Sequence, residues 1–102
     1  MLSFVAVAKA NEVKPGVVKG FQLKGRHIAV YNLAGKFYAT NNICQHEGGL
    51  LHEGELTADV IMCPLHGWEY NVKTGECLTA PGADIRVFPV RVVGDEIQLA
   101  LD

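Results

Sequence analysis

Two short segments of this sequence carry the residues that could do chemistry. Each contains one cysteine and one histidine: Cys44 and His46 in the first, Cys63 and His66 in the second. Thiolates and imidazoles are the ligands that proteins offer to zinc, to copper and to iron–sulfur clusters. The two segments are separated by residues 47–62, so the spacing predicts a metal centre bound between two loops.

The order of the ligand types, C-x-H and then C-x2-H, separates two kinds of metal site. A structural zinc site uses the same ligands, but zinc fingers usually pair cysteine with cysteine and histidine with histidine. One cysteine and one histidine in each loop suit a dinuclear cluster, because both cysteines can reach one iron and both histidines the other. This is the ligation of a Rieske 2Fe-2S centre. The order favours the cluster and leaves a zinc-stabilised binding module as an alternative.

The residues around these ligands resemble the two sequence boxes of the Rieske-type ferredoxins. The first box is Cys44-x-His46-x-Gly48-x-x-Leu51-x-x-Gly54, and the second is Cys63-Pro64-x-His66-Gly67-Trp68-x-Tyr70. The resemblance continues through Thr74-Gly75 and a loop that contains Pro81. It implies a Rieske-like antiparallel β-sandwich and one Rieske-type 2Fe-2S cluster. The ligands that it implies are Cys44, His46, Cys63 and His66.

Two departures distinguish this chain from the Rieske proteins of respiratory and photosynthetic complexes. Those proteins have a disulfide between the boxes, where this chain has Gly49 and Leu65. They also have a serine that donates to a bridging sulfide at the position of Trp68, although Tyr70 matches another of their hydroxyl donors. Hydrogen bonds to sulfur stabilise the reduced cluster, so the loss of one donor predicts a potential toward the bottom of the roughly −150 to +300 mV Rieske range.

The rest of the chain predicts the short strands that position the two loops. Short segments separated by turn residues, the first of them alternating, predict strands at 4–8, 17–23, 27–32, 36–40, 86–93 and 96–101. Gly20 is interpreted as a bulge. The middle of the chain is rich in Gly, His, Cys and Pro, with short candidate strands at 60–62, 69–72 and 76–79. We predict one all-β domain, 1–102, with a loop-built cluster-binding subdomain at about 42–81.

Length and composition exclude several classes of function. The chain has 102 residues, a formal net charge of −2 and no cluster of lysine and arginine, so neither nucleic acid nor a membrane surface is an expected partner. No segment has the roughly 20 apolar residues of a membrane span. The apolar segment 1–10 lacks the basic region with which a signal peptide begins, and three cysteines do not form a closed disulfide set. We therefore predict a cytoplasmic protein.

The spare histidines separate an enzyme from a carrier. A Rieske oxygenase also needs a mononuclear iron held by two histidines and a carboxylate, whereas only His27 and His52 remain here. The resemblance implies a monomeric electron carrier that is not itself an enzyme. Its transient partners would be a flavin-dependent reductase and the terminal oxygenase of an aromatic ring-hydroxylating dioxygenase. The small subunit of an assimilatory nitrite reductase, which the boxes also resemble, is the alternative.

Other residues near the boxes receive simpler interpretations. Cys77 lies outside both boxes and is predicted to be a buried structural thiol. His52 is outside the ligand spacing and is predicted to be solvated, without a role in metal binding. Three acidic residues near the boxes could pair with a basic surface of a partner: Glu47, Glu53 and Glu55.

Overall fold

The computed structural model describes residues 3–46, 48–65 and 67–101. The strands in these ranges are β1 (Phe4–Lys9), β2 (Val18–Leu23), β3 (Arg26–Leu33), β4 (Lys36–Asn41), β5 (Glu55–Thr57), β6 (Val60–Met62), β7 (Glu69–Asn71), β8 (Val87–Phe88), β9 (Val90–Val93) and β10 (Glu96–Ala100). Short 3₁₀ turns occur at Ala10–Glu12 and Leu51–Glu53. Within the described ranges there is no α-helix, and no helix there is long and apolar enough to cross a membrane.

The strands form three antiparallel sheets with the orders β1-β10-β9, β2-β3-β4-β8 and β5-β6-β7. Tight turns join β2 to β3 and β3 to β4. Both residues of each turn have positive φ, 51° and 76° at Lys24 and Gly25, and 55° and 95° at Ala34 and Gly35. Such turns match the twist of the strands that they connect. The all-β prediction is confirmed.

The four-stranded sheet separates two hydrophobic cores, because β3 is buried on both faces. Ile28 and Val30 point into a core shared with Ile97 of β10. Successive side chains of a strand point to opposite faces, so Ala29 and Tyr31 enter the second core. The other buried members of the second core are Cys44, Leu51, Ile61, Cys63, Tyr70, Val72, Cys77 and Ile85. The second core therefore joins the sandwich to the loops that carry the predicted ligands.

The prediction of one continuous strand at 86–93 is wrong, because Pro89 divides this segment into two strands. Proline has no N–H for a ladder hydrogen bond and its ring restricts φ. β8 pairs with β4, whereas β9 pairs with β10 in the other sheet. The Pro89 carbonyl accepts a hydrogen bond from the Ala100 N–H at 3.0 Å. The chain therefore passes from one sheet of the sandwich to the other at this residue.

Three further details differ from the prediction. Gly20 is not a bulge, since it pairs with Ala29 in an unbroken register. The strand predicted at 76–79 is reduced to one bridge between Tyr70 and Cys77, and β5 was not predicted. A glycine inside a strand indicates either a bulge or the close approach of another group. Gly20 marks the close approach of another group, because the His52 ring lies against it.

The buried Tyr31 makes the free energy of unfolding depend on pH in the alkaline range. Its side chain is fully buried, its hydroxyl lies 2.8 Å from Thr40 Oγ1, and burial raises its pKa above the ordinary value near 10. The unfolded chain releases this proton first, so the stabilisation is complete below about pH 10 and falls above it, by up to about 1.4 kcal/mol per pH unit. We expect Tyr31→Phe to lose about 1 kcal/mol at neutral pH but to show a shallower alkaline decline. Urea unfolding between about pH 7 and pH 11 tests this, and equal slopes would contradict it.

Candidate metal centre

The thiols of Cys44 and Cys63 lie together in the second core. They are 2% and 1% exposed, and the two thiols contact each other. The Leu65 N–H donates to the Cys63 sulfur, and the Cys63 N–H donates to the Trp68 carbonyl at 2.7 Å, which closes the second loop. Burial raises the pKa of the Cys63 thiol, because its thiolate would lose hydration. A metal ion supplies the positive charge that such a buried thiolate requires.

The first loop is a tight turn closed by backbone hydrogen bonds. The Cys44 N–H donates to the Gly49 carbonyl at 2.8 Å, and the Gly48 N–H donates to the Cys44 carbonyl at 3.1 Å. Gly48 has a φ of 73°, which glycine adopts without the strain that a side chain would cause. The turn leaves Cys44 buried and His46 exposed, two residues apart.

Tyr70 binds the first loop from the core. The Gln45 N–H donates to Tyr70 Oη at 3.0 Å, which leaves the hydroxyl proton free to donate to Cys44 Sγ, 3.4 Å away. Tyr70 is fully buried, and burial raises the pKa of its hydroxyl, so the donor proton is retained at neutral pH. The structure therefore places the Tyr70 hydroxyl against the sulfur of a predicted ligand, where the hydroxyl is the donor when Cys44 is a thiolate.

His46 lies at the surface, where its ring is supported by Trp68. The two rings stack with centroids 4.6 Å apart and planes 4° from parallel. This stacking restricts the orientation of the imidazole. The sequence indicates Trp68 only as the residue that replaces a serine donor, and it does not predict this contact with His46. His66, the fourth predicted ligand, lies outside the described residues, as does Glu47.

Gly49 leaves space beside the thiols. A Cβ there would lie 3.0 Å from Cys63 Sγ and 3.1 Å from Leu65 Cγ, so any larger residue would crowd the second loop. Gly49 and Leu65 are the positions of the absent disulfide, and the structure places them against each other. Leu65 is 44% exposed, so it packs on Gly49 with its outer face in solvent.

A third loop, 79–84, is attached to the first. Gln45 Nε2 donates to the Asp84 carbonyl at 3.0 Å. Asp84 Oδ1 accepts a hydrogen bond from the Cys77 N–H at 3.0 Å, and the Cys77 sulfur accepts one from the Ala80 N–H at 3.3 Å. Cys77 is 3% exposed, which confirms the predicted buried thiol. None of the three cysteines forms a disulfide, so the thiols of Cys44 and Cys63 remain as possible ligands.

The residues at this site fit a metal cluster bound between two loops. The first and second loops each offer a buried thiol with a hydrogen-bond donor at its sulfur, and the first adds an exposed imidazole. Donors to ligand sulfurs are the outer contacts that stabilise bound metal centres. Among the described residues, no three His, Cys, Asp or Glu side chains converge on one metal-ion position. His66 is not one of the described residues.

The fold and the site define a β-sandwich metalloprotein whose centre is bound by paired loops. Residues 3–89 match the Rieske 2Fe-2S domain. The chain therefore belongs to the Rieske family and carries one Rieske-type 2Fe-2S cluster.

Comparison with known proteins narrows the family. The chain is 32% identical to the ferredoxin component of the naphthalene 1,2-dioxygenase/salicylate 5-hydroxylase systems of Ralstonia sp., over 98% of this chain and 97% of that protein. It is 36% identical to the ferredoxin in a complex of reduced oxygenase and oxidised ferredoxin of carbazole 1,9a-dioxygenase. That match has a TM-score of 0.88 and covers 95% of this chain and 92% of the other.

One similar structure is assigned as the small subunit of an NADH-dependent nitrite reductase from Mycobacterium tuberculosis. Its TM-score is 0.91, and the match covers 100% of this chain and 97% of the other. The identity is 22%, so this similarity establishes a shared fold and nothing about function.

The hydrogen bond from Tyr70 to Cys44 provides a test of how the protein sets the potential. Reduction adds negative charge to the cluster and its thiolates, so this donor stabilises the reduced state more than the oxidised one. We expect Tyr70→Phe to lower the reduction potential by roughly 40 mV, which corresponds to about 1 kcal/mol for one electron. Voltammetry of the two proteins measures this. An unchanged or higher potential in the variant would show that the hydroxyl does not donate to Cys44.

Proposed function

We propose that Cys44 and Cys63 bind one iron of the cluster and that His46 and His66 bind the other. The paired buried thiols and the exposed imidazole support this division. The centre supplies one-electron redox chemistry when it is bound. Burial of the thiols limits access of water to one side of the site, while the stacked His46 ring provides a short route for an electron at the other. Residues 42–81 then form the cluster-binding subdomain of a single domain, 1–102.

We propose that the protein is a carrier, and not an enzyme, in a multicomponent aromatic ring-hydroxylating dioxygenase system. It takes single electrons from a flavin-dependent reductase and passes them to the terminal oxygenase. Its similarity to ferredoxin components over nearly the whole chain carries this proposal. It works as a monomer, and its complexes with the two partners are transient. A cytoplasmic location suits a chain whose three cysteines form no disulfide.

The distribution of charge supports a basic docking surface on the partners. Residues 44–85 contain seven of the eleven acidic residues and one of the nine basic residues of the chain. Glu53 and Glu55 line a groove of about 410 Å³ next to Cys63 and Pro64. Negative charge around an electron-transfer site steers a positively charged partner toward it and needs no large interface.

Two measurements test the proposal. Protein purified without air is analysed for iron, zinc and acid-labile sulfide, and its reduced form is examined by EPR. We expect two irons and two sulfides per chain with a Rieske spectrum; one zinc and no sulfide would overturn the proposed site.

The reduced protein is then mixed in a stopped-flow instrument with the terminal oxygenase of a naphthalene dioxygenase system or with a nitrite reductase large subunit. Faster oxidation by the second acceptor would overturn the assignment to a dioxygenase.

A further inference from the structure

Asn42 and His52 close the two ends of the first loop. Asn42 is 2% exposed, and its backbone carbonyl accepts a hydrogen bond from the Leu51 N–H at 2.8 Å. Its side-chain Oδ1 accepts one from the His52 N–H, also at 2.8 Å. Its Nδ2 lies 2.8 Å from His52 Nδ1. One residue thus binds the chain at positions 51 and 52 and closes the segment 43–50, which carries Cys44 and His46.

The hydrogen bonds of this pair have a defined direction. A backbone N–H can only donate, so the oxygen of the Asn42 amide faces His52 N and the NH₂ group faces the ring. His52 Nδ1 is then the acceptor, and the neutral ring carries its proton on Nε2. The Asn42 N–H donates to the His27 carbonyl at 2.9 Å, which attaches the pair to β3. The pair is therefore a satisfied polar network and not a solvated surface histidine.

Gly20 accommodates the His52 ring on the four-stranded sheet. A Cβ at Gly20 would lie 2.7 Å from His52 Cε1 and 2.8 Å from Cγ, and would also overlap Nδ1. Gly20 pairs in an unbroken register with Ala29 and has no positive φ, so backbone freedom does not explain the glycine. The space that the His52 ring needs explains why this position is a glycine. His52 thus connects the closed loop to β2, an element far from it in sequence.

We propose that Asn42 and His52 are positioning residues that form a clamp for the metal centre. Gly20 leaves the space that the His52 ring occupies and so keeps the ring in place. Asn42 is two residues from Cys44, and Ile43 pairs with Leu50 across the loop, so a shift at the clamp moves the first loop relative to the second. The clamp holds Cys44 and His46 in register with Cys63, which slows release of the metal. This inference rests on the ligand set proposed above.

A double-mutant cycle tests the clamp. The variants are Gly20→Ala, His52→Ala and the two together. His27→Ala is the matched control, because it removes an exposed side chain and keeps the backbone carbonyl that accepts the Asn42 N–H. The measurements are the rate of iron release to a chelator, the reduction potential and the hydrogen exchange of the Leu51 and His52 amides. Each single variant should release iron about tenfold faster, which is the low end of the effect of contacts that orient metal ligands.

The cycle distinguishes positioning from general destabilisation. In the double variant no ring opposes the new Cβ, so it should release iron no faster than His52→Ala, and its potential should match that variant. Multiplicative rates, or single variants that behave like His27→Ala, would overturn the proposal. If Gly20→Ala does not fold, the rates of iron release from His52→Ala and His27→Ala decide whether the clamp positions the metal centre. An unmodified protein without a Rieske EPR spectrum would overturn the proposed function as well, whereas an intact spectrum with unaffected variants would overturn the clamp alone.

Discussion

We expect the Cys63→Ser variant to lose its cluster completely and the Cys77→Ser variant to retain it. The two thiols are buried to a similar extent, 1% and 3% exposed, so burial alone does not separate them. Cys63 contacts the thiol of Cys44, whereas the Cys77 sulfur accepts the Ala80 N–H, which a serine hydroxyl can also accept. Iron and sulfide per chain and the visible spectrum measure the difference.

Cys77→Ser is the matched control for this experiment, because it makes the same chemical change at a buried cysteine of the same core. Circular dichroism and the thermal midpoint of each variant show whether the fold survives. Loss of iron in a folded Cys63→Ser variant attributes the loss to the missing ligand. Equal iron content in the two variants, or loss from Cys77→Ser alone, would contradict the proposed ligand set.

Reversal of charge beside the cluster should slow electron transfer to the terminal oxygenase, whereas the same change far from it should not. We expect Glu53→Lys and Glu55→Lys each to lower the second-order rate about tenfold at low salt, because both residues line the groove beside Cys63. Glu96→Lys changes the net charge equally but lies in β10, in the sheet that does not carry the metal loops. Stopped-flow mixing at increasing ionic strength measures these rates.

Salt gives a second criterion for this prediction. The screening length falls from about 10 Å at 0.1 M to about 3 Å at 1 M, so the three variants should converge on the wild-type rate as salt rises. A rate that does not respond to salt would show that the acidic groove does not steer the partner. Equal effects of Glu55→Lys and Glu96→Lys would show that net charge, and not its position, controls association.

The chemistry of the centre could be inferred from sequence because ligands are recognised by type and spacing. The pairing of a cysteine with a histidine in each loop indicates a cluster without any knowledge of contacts, and the fold places the thiols of Cys44 and Cys63 together. Cys77 was separated from them on position alone and is indeed a buried thiol outside the paired loops. Strands bounded by turn residues, such as β3 and β6, were also predicted close to their observed bounds.

The failed predictions concern residues whose role depends on a distant partner. Gly20 was interpreted from its own strand, where a glycine indicates a bulge, but the group that requires it is His52. His52 in turn was interpreted as solvated, because nothing within the first loop indicates that Asn42 would bind it. Pro89 was visible in the sequence, yet the change of sheet that it marks requires β4 and β10 as partners.

The sequence by itself determined the kind of centre, because ligand identity and local spacing are properties of the chain alone. It also determined where β1 to β4 and β10 lie, since apolar segments and turn residues act over a few positions. Only the tertiary structure decided which distant groups meet: the Tyr70 hydroxyl and the Cys44 sulfur, 26 residues apart in sequence, and Gly20 and the His52 ring. Such contacts depend on strand order and register, which are settled by the packing of the whole β-sandwich and not by any segment of it.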